Sequence, residues 1–418
     1  MNVRSSAAVL AAVAVIGAAV PAAADSSPSP SPSQQPLPAA LYGDGDPQYD
    51  GVWRQSLALL AQHTVGVEPP KSSVDWLAGQ QCADGSFAPY RADTGTACDA
   101  TTMVDTNQTA AAVQALAALG GHDAVVGKAV DWLKSVQNED GGWGYMAGGD
   151  SDANSTSVVI GALAATGEKP AEAVKDGKSP YDALLKLALP CDDEGDGAGA
   201  FAFQPGKKGE LVANTDATAA GVAGSLGAGL VVEPGKGESA DAGCEKADTP
   251  EQAAANGAAH LAGVLAGDDH LVSALPGSED QPDYGNTADA VVALAAQGAT
   301  GQAAKSAAWL AENAADWAAQ SGPAAYAQLI FAAHATGTDP RAFGGTDLVK
   351  QLSATGPAAG ESSRTANDDK AGQDEKAAKA ASDSGSGLRW TLSIVGVCLV
   401  AAVGAVFLLR GRSRKQQS

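Results

Sequence analysis

Basic residues are scarce in this chain: 26 lysines and arginines face 48 aspartates and glutamates, a formal net charge of −22. That deficit argues against nucleic acid and anionic lipid as partners, since both require cations on the protein to replace counterions. Aromatic residues make up only 5% of the sequence, too few to wall a large cavity with ring faces. There is no Cys-x-x-Cys pair, and the five histidines are scattered, which disfavours a zinc site; no metal ligands and no cofactor are expected. Sustained apolar/polar alternation of strand type is missing as well, so a sheet-based fold is not expected.

The two ends carry targeting signals. Residues 1–24 hold Arg4, an Ala/Val/Ile run and Ala22-Ala23-Ala24, the layout of a cleavable secretory signal. Residues 25–39 are rich in proline and serine and read as an extended spacer. Residues 353–389 contain Ala, Gly, Ser, Asp and Lys without an aromatic and read as a tether. Trp390 to Leu409 is apolar and long enough to span a bilayer as a transmembrane helix, and residues 410–418 follow it with Arg410, Arg412, Arg414 and Lys415. The positive-inside rule puts that tail in the cytoplasm and the folded part, residues 40–352, outside the cell membrane. Cys398 lies in the apolar run; Cys82, Cys98, Cys191 and Cys244 remain for two disulfides in an oxidising space. Three connectivities are open, and the local pairings Cys82 with Cys98 and Cys191 with Cys244 are preferred, each worth about 3 to 4 kcal/mol by loop closure.

Within residues 40–352 two stretches repeat. Trp76-Leu77, Gln81, Asp84-Gly85 and Phe87 are followed later by Trp132-Leu133, Gln137, Asp140-Gly141-Gly142 and Trp143. After each comes a small-residue, apolar helix, Asn107 to Gly120 and Asn154 to Gly167, and Asn214 to Gly227 follows a third acidic turn that ends at Phe201, the same interval of 13 residues each time. Asn286 to Gly298 and Ala324 to Gly337 continue the series, and Asp50 to Gly66 begins it. Asparagine is a favoured N-cap and glycine a favoured stop, so the asparagines are expected to cap these helices. Helices apolar all round alternate with half-polar ones such as Val125 to Val136 and Ala303 to Trp317, as an inner and an outer ring require. About six such pairs would close into an all-α barrel.

Gln137-x-x-Asp140-Gly141-Gly142-Trp143, with the same spacing at Gln81-x-x-Asp84, resembles the glutamine-tryptophan motif of squalene and terpene cyclases. Residues 40–352 as a whole resemble the prenyltransferase and squalene oxidase repeat proteins, as a bacterial surface-anchored member. The resemblance implies an α/α toroid in which Trp76, Gln81, Asp84, Gly85, Phe87, Trp132, Gln137, Asp140, Gly141, Gly142 and Trp143 tie neighbouring repeats together. Family cyclases protonate their substrate through Asp-x-Asp-Asp; the matching stretch here is Asp150-Ser151-Asp152-Ala153, which lacks the last carboxylate. No catalytic residue is therefore expected, and an enzyme would have to rely on Asp152 and Asp150. Gly243-Cys244-Glu245-Lys246 fails the Cys-Gly-Glu-Gln of thioester toroids. An inverting glycosidase could draw on Asp105, Asp152, Asp216 and Asp283.

The expectation is thus a membrane-anchored extracellular toroid that binds an unknown small molecule, for example a hydrophobic or corrinoid-type one, or an envelope protein, without catalysis. A divergent terpene or squalene cyclase-type or prenyltransferase-type enzyme is one alternative, and a structural or protein-interaction module of the envelope another. Asp105, Asn107, Asp152, Asn154, Asn214, Asp216 and Asn286 line the expected ligand site, where polar helix N-termini converge. The acidic group Asp44, Asp46 and Asp50 is read as a solvated turn in preference to a calcium site, because it lacks a bidentate glutamate.

Overall fold

The computed structural model describes residues 37–192, 197–233, 243–273 and 280–357. Helices alternate along the chain between two roles. The first pairs are α1 (Gly51–Thr64) with α2 (Lys71–Gly79), α3 (Thr106–Leu119) with α4 (Asp123–Ser135), and α5 (Ala153–Ala165) with α6 (Pro180–Leu187). They continue with α7 (Thr215–Ser225) and α8 (Pro250–Leu265), then α9 (Tyr284–Gln297) with α10 (Thr300–Asn313) and the short α11 (Ala315–Ser321). Last come α12 (Pro323–Ala335) and α13 (Leu348–Ala354). Each first member packs on the next, α1 on α3, α3 on α5, α5 on α7, α7 on α9 and α9 on α12, and α12 returns to α1. The ring of six inner helices is closed, and the second members lie outside it.

Side-chain size explains which helices go inside. Every residue of α3 from Thr106 to Leu116 is buried, and most are alanine, valine, leucine or threonine, small enough to pack on neighbours on several sides at once. In α4 only Ala129, Val130, Trp132 and Leu133 are buried, one stripe against the ring, while Lys128, Asp131 and Lys134 face outward. The stretch expected as one helix from Ala303 to Trp317 is two, α10 and α11, broken at Ala314.

One correction concerns the caps. Asn107, Asn154 and Asn286 do not cap their helices; Asp105, Asp152 and Asp283 do, each accepting the backbone N–H three residues on. A carboxylate accepts that bond and also answers the positive helix end, so it outcompetes an amide nearby. Asn214 caps α7 as expected. Four residues after each cap stands a threonine, Thr109, Thr156, Thr218 or Thr287. Its hydroxyl accepts the backbone N–H of Phe87, Trp143, Phe201 or Leu271 at 2.9 to 3.1 Å. The turn that ends on an aromatic is thereby stapled to the start of the next inner helix. In the fourth repeat Leu271 takes the aromatic's place, in β1 (Leu271–Ser273), paired antiparallel with β2 (Gln281–Asp283).

The glutamines act across repeats. Gln137 Nε2 donates to Gly141 O and to Ala173 O, both at 2.8 Å, and Gln81 Nε2 donates to Gly85 O at 3.1 Å and Val125 O at 2.7 Å. Each closes its own turn and holds the next repeat's chain. Trp143 is fully buried and its Nε1 donates to Leu133 O at 2.7 Å; Phe87 is buried to the same degree. Trp132 is buried and Trp76 half-buried against the core. Asp84 and Asp140 accept the backbone N–H two residues on, shaping the acidic turns. Disulfides join Cys82 to Cys98 and Cys191 to Cys244, the two local pairings.

No helix among the described residues is long and apolar enough to cross a membrane. The run Trp390 to Leu409, the leader and most of the spacer and tether lie outside the described residues.

Candidate functional site at the mouth of the ring

The capped N-termini of α3, α5, α7 and α9 mark one end of the ring, and the opposite end is crossed by chain. Residues 228–233 leave α7 and run across the ring, over the C-terminal halves of α5 and α3 to α12. Gly229 lies against Gly161 of α5, Leu230 N donates to Gln114 Oε1 of α3 at 2.8 Å, and Glu233 meets His334 of α12 at 2.9 Å. Val232 is buried in the core. Residues 228–233 therefore cover the end of the ring opposite the N-termini.

Most residues of the inner helices are buried, so the ring is largely filled by its own side chains. Among the inner-helix side chains that stay half-buried near the mouth are four polar ones, Asn154 on α5, Asp216 on α7, Asp289 on α9 and Gln328 on α12, beside the aromatic Trp53 on α1 and Tyr284 on α9. Asn154 Nδ2 donates to Asp216 Oδ2 at 2.8 Å, and Gln328 Nε2 reaches both oxygens of Asp289 at 3.2 and 3.3 Å. Asn107, at the same helical position on α3 as Asn154 on α5, is buried with an unpartnered Oδ1. The adjoining Thr106 and Gln108 also hold buried oxygens without partners, as does Asn154 at its Oδ1.

Sequence reasoning expected Asp105 and Asp152 to face a ligand, but both are buried and occupied. Asp105 accepts Gln108 N at 2.7 Å and lies against the Tyr145 hydroxyl; Asp152 accepts Ser155 N at 2.7 Å and Ser155 Oγ at 2.8 Å. Burial pushes Asp105 up to about 7 and Asp152 up to about 6, against the opposing pull of those bonds. Asp150 is exposed on the loop before α5. Asn214 is exposed at its cap, and Asn286 Nδ2 donates to Asp283 Oδ2 at 2.8 Å, at the rim. The structure thus brings Asn154 and Asp216 together, buries Asn107 at the matching position of α3, leaves Asn286 and Asp283 at the entrance, and turns Asp105 and Asp152 into helix caps.

Asp289 and Gln328 were not anticipated. Asp289 is the only carboxylate in α9 and Gln328 the only amide in α12, each alone in an apolar helix, and that isolation is the signal that could have found them. Burial pushes Asp289 up to about 7, helped by the negative charges of Asp216 and Asp283 and opposed by the Gln328 bond. Burial also raises Asp216, with Asp283 adding and the Asn154 bond opposing.

The acidic turn before α1 holds no free site. The Arg54 guanidinium donates to Gly45 O at 2.8 Å and to Asp50 Oδ1 at 2.9 Å, and its Nε donates to Tyr42 O at 2.9 Å. Among the described residues no group of three or more His, Cys, Asp or Glu could hold a metal ion.

A stability prediction follows from Asp289. The unfolded chain releases this proton near the ordinary 3.8, whereas the folded chain holds it to about 7. Across that window the folded state binds the extra proton, so stability falls as pH rises, with the whole penalty present above about pH 7. Asp289→Asn is expected to raise the Tm at about pH 8 and to leave it nearly unchanged at about pH 4, read by circular dichroism.

Residues 103–179 match the family model described as the squalene-hopene cyclase C-terminal domain. A squalene-hopene cyclase of Zymomonas mobilis is 31% identical over 164 residues, 36% of this chain. The match covers 23% of that cyclase, so the chain spans less than a quarter of the length of the curated relative. Among solved structures, ent-copalyl diphosphate synthase from Streptomyces platensis superposes with a TM-score of 0.43 at 17% identity, over 69% of this chain and 51% of that one. A wild-type glycosidase gives 0.42 at 15% identity, over 69% and 86%. A protein from Actinoplanes gives 0.40 at 18%, over 65% and 73%. The matched stretch, residues 103–179, runs from just before α3 to the cap of α6 and is similar to the squalene-hopene cyclase C-terminal domain, and it forms part of the closed α/α toroid of this chain.

Proposed function

We propose that this chain is a ligand-binding toroid, exported and held at the cell membrane by Trp390 to Leu409, that takes up the end of a small molecule in the mouth of its ring. The observation that carries the reading is the polar group at the mouth: Asn154, Asp216, Asp289 and Gln328 stay half-buried and bonded in pairs, on inner helices that are otherwise mostly apolar. A concave site with few, converging polar groups is the ordinary form of a small-molecule pocket. The polar lining favours a ligand rich in hydrogen-bond donors over a hydrophobic one. The two disulfides support an oxidising, extracellular location. Native mass spectrometry of the full-length chain, purified from its own host, is expected to find a small molecule at one copy per chain that is lost in Asp216→Asn. A ligand-free chain, or a ligand unaffected by the substitution, would count against the reading.

The comparisons favour a second reading, a divergent cyclase-type enzyme, over binding alone, because the matched repeat is that of a squalene-hopene cyclase. In that reading the acid would be Asp289, the carboxyl that stays protonated towards neutrality and lines the lumen, with Asp216 beside it. Asp152 is poorly placed for the task, since Ser155 engages both its oxygens. Incubation of the full-length chain with squalene or prenyl diphosphates decides between the two. Binding alone gives no cyclised product, and a product abolished by Asp289→Asn establishes the enzyme.

A further inference from the structure

Aromatic residues are scarce in this chain, yet Tyr284, Trp309 and Trp317 stand in one row with the His270 imidazole at its end. Between ring centroids, Trp309 lies 4.0 Å from His270 and 5.3 Å from Tyr284, and Tyr284 lies 5.6 Å from Trp317. His270 precedes β1, Tyr284 opens α9, and the tryptophans come from α10 and α11. Trp143 and Phe87, which staple the repeats together, are fully buried. The four rings of the row are only half-buried, so part of their surface stays open to solvent.

The row ends at a polar pair. Gly285, the second residue of α9, has no side chain, and a Cβ there would stand 3.7 Å from Trp317 Cζ2 and 3.7 Å from Gln328 Oε1. Indole and amide therefore flank one gap. Gln328 Nε2 reaches the two oxygens of Asp289 at 3.3 and 3.2 Å, so the aromatic surface passes directly into an amide and a carboxylate. The chemistry of this junction excludes several ligand classes. From Pro250 to Ser321 the only lysine or arginine is Lys305, while Asp268, Asp269, Asp283 and Asp316 sit within two residues of the rings, which disfavours a phosphate or other anion. A plain alkyl chain would cover Gln328 and Asp289 without giving either a partner. A quaternary ammonium calls for rings that wall a cage, whereas these planes lie within 8 to 24° of one another.

We propose that this junction binds a neutral sugar of an oligosaccharide, its C–H face on Trp317 over the gap at Gly285 and its hydroxyls bonded to Gln328 and Asp289. A pyranose ring has an apolar face and a rim of hydroxyls that both donate and accept, which matches an indole set beside an amide and a carboxylate. The row from Tyr284 to His270 then offers further ring surface for the following units of the chain. The proposal rests on the binding reading of the same mouth and names the chemistry of the ligand.

Isothermal titration of the full-length chain with chitohexaose, cellohexaose and maltohexaose, and with choline and decanol, tests this. At least one of the three oligosaccharides is expected to bind saturably, and choline and decanol at least about tenfold more weakly. Trp317→Ala is expected to weaken the sugar by about tenfold or more. Gly285→Leu fills the gap and is expected to remove binding while the Tm holds, because the added Cβ meets only ordinary contacts and the backbone there is not left-handed. Tyr49→Ala removes a ring that is 75% exposed and lies outside the row, and is expected to change nothing. No binding of any of the three sugars, binding untouched by both Trp317→Ala and Gly285→Leu, or equal weakening by Tyr49→Ala would overturn the proposal, as would choline or decanol binding in their place. A host-derived molecule that is lost in Asp216→Asn, together with no sugar binding, would overturn the sugar and leave the binding reading standing.

Discussion

Replacing Gly141 with alanine is expected to destabilise the protein by about 3 kcal/mol or more, measured by urea unfolding. Two effects combine at this residue. Its φ of +90° is unfavourable for any side chain, and an added Cβ would run into the backbone carbonyl of Ser179, the residue that caps α6. The obstacle is main chain at the start of a helix, so it cannot rotate away as a side chain could. Gly148→Ala separates the two effects, because Gly148 has a φ of +76° with nothing near the added carbon, and should cost only about 1 kcal/mol. Gly85 stands in the same relation to Lys128 O, and Gly344 to Ala311 O, so this approach of turn to outer helix recurs around the ring. Equal losses at Gly141 and Gly148 would mean that the turn is not pressed against the next repeat.

Removing the Cys191–Cys244 bridge by double substitution to serine is expected to cost about 4 kcal/mol, and removing Cys82–Cys98 about 3 kcal/mol, since the longer loop holds more unfolded-state entropy. The first bridge spans 53 residues, from the end of α6 to the approach of α8, and encloses α7; the second spans 16 around the first acidic turn. Thermal unfolding of the two double mutants should therefore rank them in that order. The reverse order would indicate that the large loop stays compact when unfolded.

Architecture was legible in the sequence because it is written locally. Trp132, Gln137, Asp140 and Gly141 sit within one helix end and one turn, and their copy at Trp76, Gln81, Asp84 and Gly85 exposes the period. Caps were harder: Asp105 and Asn107 both suit a helix start, and only the backbone path decides which accepts the first-turn N–H. A clue was present in the recurring spacing from Asp105 to Thr109, Asp152 to Thr156, Asn214 to Thr218 and Asp283 to Thr287. The stop at the far end of the lumen left no such trace. Residues 228–233 are small and apolar apart from Glu233, and their role comes from Gln114 and His334, more than a hundred residues away in each direction. The site followed the same division. Asn107, Asn154 and Asp216 were found by helix-start position, whereas Asp289 and Gln328 lie a turn deeper, where only the closed ring brings them to the mouth.

The most direct test of the account is a structure of the full-length chain purified from its own host, inspected for density inside the ring. The account predicts a small molecule at the mouth of the ring, against Asp216 and Asp289. A bound molecule on the outer face, or a mouth sealed by the chain's own residues, would contradict it.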